Sequence, residues 1–173
     1  MAEEPTSSRS SDGEGRLPDL VWAKDLAWAR DLARLDDREL AARVESLPLE
    51  RQVDLVLSLG WQDRLRLVKN TDKAAEIVAA MPPEEVLLTL KGVGAEDGLP
   101  IVALTTPAQM GFILDVELWT RDRLDDAKIV EWVHHMLSCG ESKISEFAAT
   151  ADIELLTVIL NRLVHIVPNE EGA

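Results

Sequence analysis

Apolar residues along the middle of the chain recur every three to four positions, and prolines interrupt them at regular places. Ala41, Val44 and Leu47 lead to Pro48, Glu50 and Val53. The same register returns 34 residues later as Ala75, Val78, Met81, Pro82, Glu84 and Leu87. Spacings of three on both sides of the proline put an apolar stripe on each of two helices. Proline suits the first helical position, because its missing N–H is not needed there and its φ is already helical. The glutamate two residues on lies near the positive end of the helix dipole. The pattern therefore predicts a helical hairpin used twice, in units that cannot bury their faces alone and so stack.

Extending the periodicity predicts helices near 37–46, 48–59, 61–69, 72–80, 83–91, 97–104, 107–119, 125–139, 141–149 and 152–166. Asp36 and Glu39 have the spacing of a capping box. Gly60, Gly92 and Gly140 fall where C-terminal caps belong. The joining loops are short, which predicts antiparallel neighbours. The fold class is all-α: a right-handed, solenoid-like stack of short antiparallel helices.

Three further stretches complete the layout. Residues 1–15, rich in Ser, Glu and Gly, read as a disordered tail, and 168–173 as a frayed end. Between them, 16–167 reads as one helical-repeat domain, with hairpins over 36–92 and a divergent half over 93–167. Residues 19–35 repeat with a period of six, Asp19-Leu20-Val21-Trp22 and then Asp25-Leu26-Ala27-Trp28. Six residues advance a helix by about 240°, so Trp22 and Trp28 spread around it. Such a broadly apolar helix lies against the next layer or against another chain, and it offers a route to self-association.

Charge narrows the function. Acids outnumber bases 32 to 18, a net −14, and no Lys/Arg run exceeds two residues. That argues against a phosphate-binding surface and against nucleic acid as a partner. A single cysteine, Cys139, leaves no intramolecular disulfide and fits a reducing, cytoplasmic setting. The apolar runs are short of the roughly twenty residues a membrane span needs.

Candidate chemistry is thin. Glu131, His135 and Cys139 follow one another at i, i+4 and i+8 on one predicted helix. Carboxylate, imidazole and thiolate all bind zinc. Eight residues span about 12 Å of helix, so the three cannot share one ion. Glu131 and His135 are left as a weak metal pair on the edge of an apolar face formed by Ile129, Trp132, Val133, Met136 and Leu137. A thiol–imidazole site at His135 and Cys139 has the right groups, but nothing orients the histidine. The run Gly92-Val93-Gly94-Ala95-Glu96-Asp97-Gly98 follows a helix and carries two acids, which repel phosphate, so it reads as a linker and a hinge. Asp115, Glu117, Trp119, Arg121, Asp122 and Arg123 mix an aromatic with both charge signs at a helix end. Trp and Arg are favoured interface anchors, and the same run also reads as an ion-paired turn that sets the next helix.

By its Leu-Pro-x-Glu hairpins, the stretch 36–92 resembles the cytoplasmic N domain of MgtE-type magnesium transporters. The resemblance implies a right-handed superhelix and, from the acidic surface, regulatory Mg²⁺ sensing with weak ion binding at most. The segment Leu114-Asp115-Val116-Glu117-Leu118-Trp119-Thr120-Arg121-Asp122-Arg123-Leu124-Asp125, with Trp132 and Leu160-Asn161-Arg162-Leu163, is similar to an uncharacterised family of larger bacterial helical proteins. That likeness implies fold and relatives but no reaction. The expected function is thus a cytoplasmic interaction or scaffold module without catalytic activity or a resident cofactor, holding another protein through Trp22, Trp28 or the run from Asp115 to Arg123.

Overall fold

The computed structural model describes residues 34–163 together with Asp31. The Trp22/Trp28 helix and both predicted tails lie outside the described residues. Ten helices are present among the described residues. They are α1 (Asp37–Glu45), α2 (Leu49–Ser58), α3 (Trp61–Asn70), α4 (Ala74–Ala80), α5 (Pro83–Val93), α6 (Leu99–Leu104), α7 (Pro107–Glu117), α8 (Asp126–Ser138), α9 (Glu141–Thr150) and α10 (Ile153–Leu163). One antiparallel hairpin, β1 (Trp119–Thr120) and β2 (Arg123–Leu124), interrupts them between α7 and α8. The all-α class holds, and no helix among the described residues is long and apolar enough to cross a membrane.

Local chemistry accounts for most of the boundaries. The Asp36 carboxylate accepts the Glu39 amide at 2.8 Å while the Glu39 side chain returns to the Asp36 amide, completing the expected box. Thr106 and Gln109 form a second one at the start of α7, with Pro107 in the first helical turn. Pro48 stands one position earlier than its expected range, as an extended N-cap with ψ of 150°, and Pro82 is the N-cap of α5 with ψ of 139°, just before the 83 start expected. Gly60 has φ of −67°, so no left-handed cap forms there. Helix α5 runs through Gly92, and the positive φ falls on Gly94 at 91°. Gly140, at φ 107°, does take the backbone form that suits glycine, between α8 and α9.

The tertiary arrangement departs from a chain of self-contained hairpins. Most helices pack on the helices two places away, α1 on α3, α3 on α5, α5 on α7 and α7 on α9, while α8 and α9 pack chiefly on each other. A second row runs α2, α4, α6, α8, α10 in the same manner. The 34-residue echo spans three helices, so it matches α1–α2 with α4–α5 and places the two copies of each helix in opposite rows. The Leu-Pro-x-Glu joints are corners between rows. Within α3 and α5, Trp61 lies against Gly92, and Arg64 reaches Thr89, so these two row neighbours run antiparallel.

One apolar cluster extends from Leu40 and Val44 to Phe147 and Ile159. Val93 of the Gly92–Gly98 stretch is part of it. A Cβ on Gly98 would stand 2.5 Å from Leu90 Cδ2, and α6 beyond it packs on α3, α4 and α8. The expected hinge is a turn anchored on both sides, by Val93 in the core before it and by α6 of the second row after it.

Candidate functional site

The segment from Asp115 to Arg123 divides on folding. Glu117, at the last turn of α7, is largely buried and bridges Lys91 of α5 at 2.7 Å and Lys128 of α8 at 3.8 Å. It joins three helices and is not free for a partner. Asp115, Trp119, Arg121, Asp122 and Arg123 are exposed.

The expected ion-paired turn is a β-hairpin instead. Trp119 pairs with Leu124 and Thr120 with Arg123, while Arg121 and Asp122 have φ of 50° and 61°. Positive φ at both central residues is the type I′ pattern, whose twist suits a tight hairpin. The base is closed by the Asp125 amide on Leu118 O at 2.9 Å. Asp125 then caps α8, accepting the Ala127 amide at 3.0 Å and the Lys128 amide at 3.3 Å. Among the described residues, Asp115, Arg121, Asp122 and Arg123 form no ion pair, so backbone pairing and the Asp125 cap hold the turn. Trp119 is 49% exposed. Its cross-strand partner Leu124 lines an open groove of about 380 Å³ with Val158, Asn161 and Arg162 of α10.

The Glu131–His135–Cys139 ridge is placed differently from its sequence reading. His135 is 5% exposed and stands edge-on to Trp132, with ring centroids 5.5 Å apart. Helix α8 is covered by α6, α9 and α10 at once, and these neighbours set which side is buried. The covered face is turned by roughly 80° from the expected one. It takes in His135 and half of Cys139, and it leaves Leu137 and Val130 exposed. Glu131 lies 3.7 Å from His135 Nε2, but its carboxylate also faces Lys128 at 3.5 Å. The buried Nε2 has no hydrogen-bond partner among the described residues.

Cys139 Sγ lies 3.6 Å from Leu99 O. Burial raises its thiol pKa, against a smaller opposing pull from Lys143. A thiol held protonated this way is a poor nucleophile. Lys143 is itself buried. Its ammonium donates to Thr105 O and lies 3.7 Å from Glu146, and burial lowers its pKa while Glu146 and Cys139 act in the opposite direction. Among the described residues, no three His, Cys, Asp or Glu side chains converge as a metal site would require.

Sequence reading missed one constellation entirely. Buried polar side chains end on carbonyls left open at the C-termini of short helices. Gln52 Nε2 donates to Leu47 O at 2.7 Å, after α1. Arg64 donates to Leu57 O at 2.6 Å and Leu59 O at 3.0 Å, at the end of α2. Gln109 donates to Val78 O at 2.7 Å and Met81 O at 2.8 Å, at the end of α4. Lys143 does the same for Thr105 beyond α6. The hydrogen bonds of these four side chains serve the frame.

A family comparison covers both the frame and the hairpin. Residues 41–172 match a family of unknown function, DUF6178. The chain belongs to this family. The matched residues take in the Pro48 and Pro82 corners, the Trp119 hairpin and α10, and so reach well beyond the 36–92 stretch. No curated protein matches, and no solved structure matches. The likeness of 36–92 to the magnesium-transporter N domain has no support from these comparisons.

Proposed function

We propose that this DUF6178 protein is a cytoplasmic interaction module that holds another protein at the Trp119 hairpin, without catalysing a reaction. The observation that carries the reading is Trp119 itself, 49% exposed on the two-residue hairpin that breaks the helical stack. A large ring left in water is an anchor waiting for a pocket, and tryptophan leads the residues that dominate interface energies. Arg121 and Arg123 flank it with guanidinium groups that no acid of the described residues neutralises. The turn that presents them uses Arg and Asp in a backbone region usually left to Gly or Asn, a local strain of the kind that collects at binding sites. Gln52, Arg64, Gln109 and Lys143, by contrast, end on backbone carbonyls, which favours the hairpin as the chemically distinctive surface.

Affinity capture from the native host, followed by mass spectrometry, tests the reading when wild type and Trp119→Ala are run side by side. A specific protein retained by wild type and lost with Trp119→Ala is the expected result. Identical recoveries from both, or no specific protein from either, would sink it.

A further inference from the structure

The last of the described helices turns an apolar side outward. Stacked-helix proteins remain soluble because their terminal units turn a polar face outward. The first of the described helices fits this rule: Asp37, Arg38, Glu39 and Arg43 of α1 are all exposed. Helix α10 has α8 on one side and no row neighbour beyond it among the described residues. Its exposed side carries Ile153 at 74%, Leu160 at 55% and Leu163 at 39%, with half-buried Leu156 between them. Only Ile159 of this helix is fully buried.

Ile153, Leu156, Leu160 and Leu163 are spaced three, four and three apart. That is the a/d register of a coiled-coil seam, so what fits it is another helix. Charge says which one. Glu154 and Arg162 are the charged residues of α10 and cancel, both lie off the stripe, and Arg162 turns to Asp126 at 3.5 Å. A chain of net −14 repels its own kind over most of its surface, and this face is free of that repulsion. The stripe is also self-complementary. With two copies antiparallel about a two-fold axis near Val158, Ile153 of one meets Leu163 of the other, and Leu156 meets Leu160.

The geometry points to a two-fold, antiparallel association of two copies of this chain through the exposed stripe of α10. The interface is small. An eleven-residue helix is about 16 Å long, which gives a contact below the roughly 800 Å² per partner of a standard stable interface. The pair therefore forms at high concentration and separates on dilution. It does not depend on the hairpin reading.

Sedimentation equilibrium of the full chain over a wide concentration range tests this. The average mass rises from one copy toward two, and Leu160→Glu moves the midpoint up by at least about tenfold in concentration. The helical circular dichroism of that variant stays unchanged, because Leu160 is already exposed. Trp119→Ala leaves the self-association as it was, which separates this surface from the hairpin. Mixing Leu156→Cys with Leu160→Cys chains and oxidising in air gives cross-linked mixed pairs in preference to like pairs. One copy at every concentration, a pair indifferent to Leu160→Glu, a pair lost with Trp119→Ala, or preferential like-pair cross-links would each overturn the proposal. So would loss of helix content in Leu160→Glu, since the stripe would then be covered within a single chain.

Discussion

Arg64 shows how single side chains hold this stack. Its guanidinium is 4% exposed and makes four hydrogen bonds: to Leu57 O, Leu59 O, Glu85 Oε2 at 2.8 Å and Thr89 Oγ1 at 2.9 Å. It also lies 4.7 Å over the Trp61 ring, and that ring rests against Gly92. Removing one partner from such a set leaves carbonyls and a half-buried carboxylate without donors. Arg64→Ala is expected to lower stability by about 3 kcal/mol, read as a fall in the urea midpoint. Arg64→Lys restores little of it, since an ammonium cannot serve two carbonyls and a carboxylate through one planar fork. A loss below about 1 kcal/mol, within the range of ordinary surface changes and weak hydrogen bonds, would refute this account. None of this was legible beforehand. Arg64, Gln52, Gln109 and Lys143 look like solvated helix positions in the sequence, because the carbonyls they meet belong to other turns of the chain.

Helix limits were legible almost throughout, because they depend on near neighbours: the Asp36 box, the prolines and the apolar spacing. The hairpin was not. Trp119 to Leu124 contains no Asn-Gly or Asp-Gly, and a turn at Arg121–Asp122 requires two L-residues at positive φ. That conformation costs roughly 1–2 kcal/mol per residue. Exchanging the pair for Asn-Gly, the sequence that a type I′ turn favours, should therefore raise the melting temperature, by an amount equivalent to roughly 1 kcal/mol. An unchanged or lower melting temperature would mean that Arg121 and Asp122 contribute contacts outweighing their backbone cost. The wheel of α8 was misjudged for a related reason. Averaging its own apolar residues placed Leu137 inward and His135 at the edge, but α6, α9 and α10 cover a different side.

For the whole molecule, the packing of helices two apart has a mechanical consequence. Helices α3 and α5 of the repeated stretch contact α6 and α7 beyond the 94–98 turn, and one apolar cluster crosses it. Variants retaining only Trp61 or only Trp132 should show coincident urea transitions, both overlaying the loss of helical circular dichroism. Separate midpoints would show that the turn divides two independently folding halves. The amino-acid order by itself determined the all-α class, the approximate limits of ten helices and the acidic, lysine-poor surface, since each of these depends on periodicity, caps and composition within a few residues. It did not determine that the 34-residue echo alternates between rows, that His135 is buried, that the glycine stretch is packed, or that Trp119 stands out on a hairpin. Those outcomes come from contacts between elements, where the same local pattern fits several neighbours and only the assembled packing selects one.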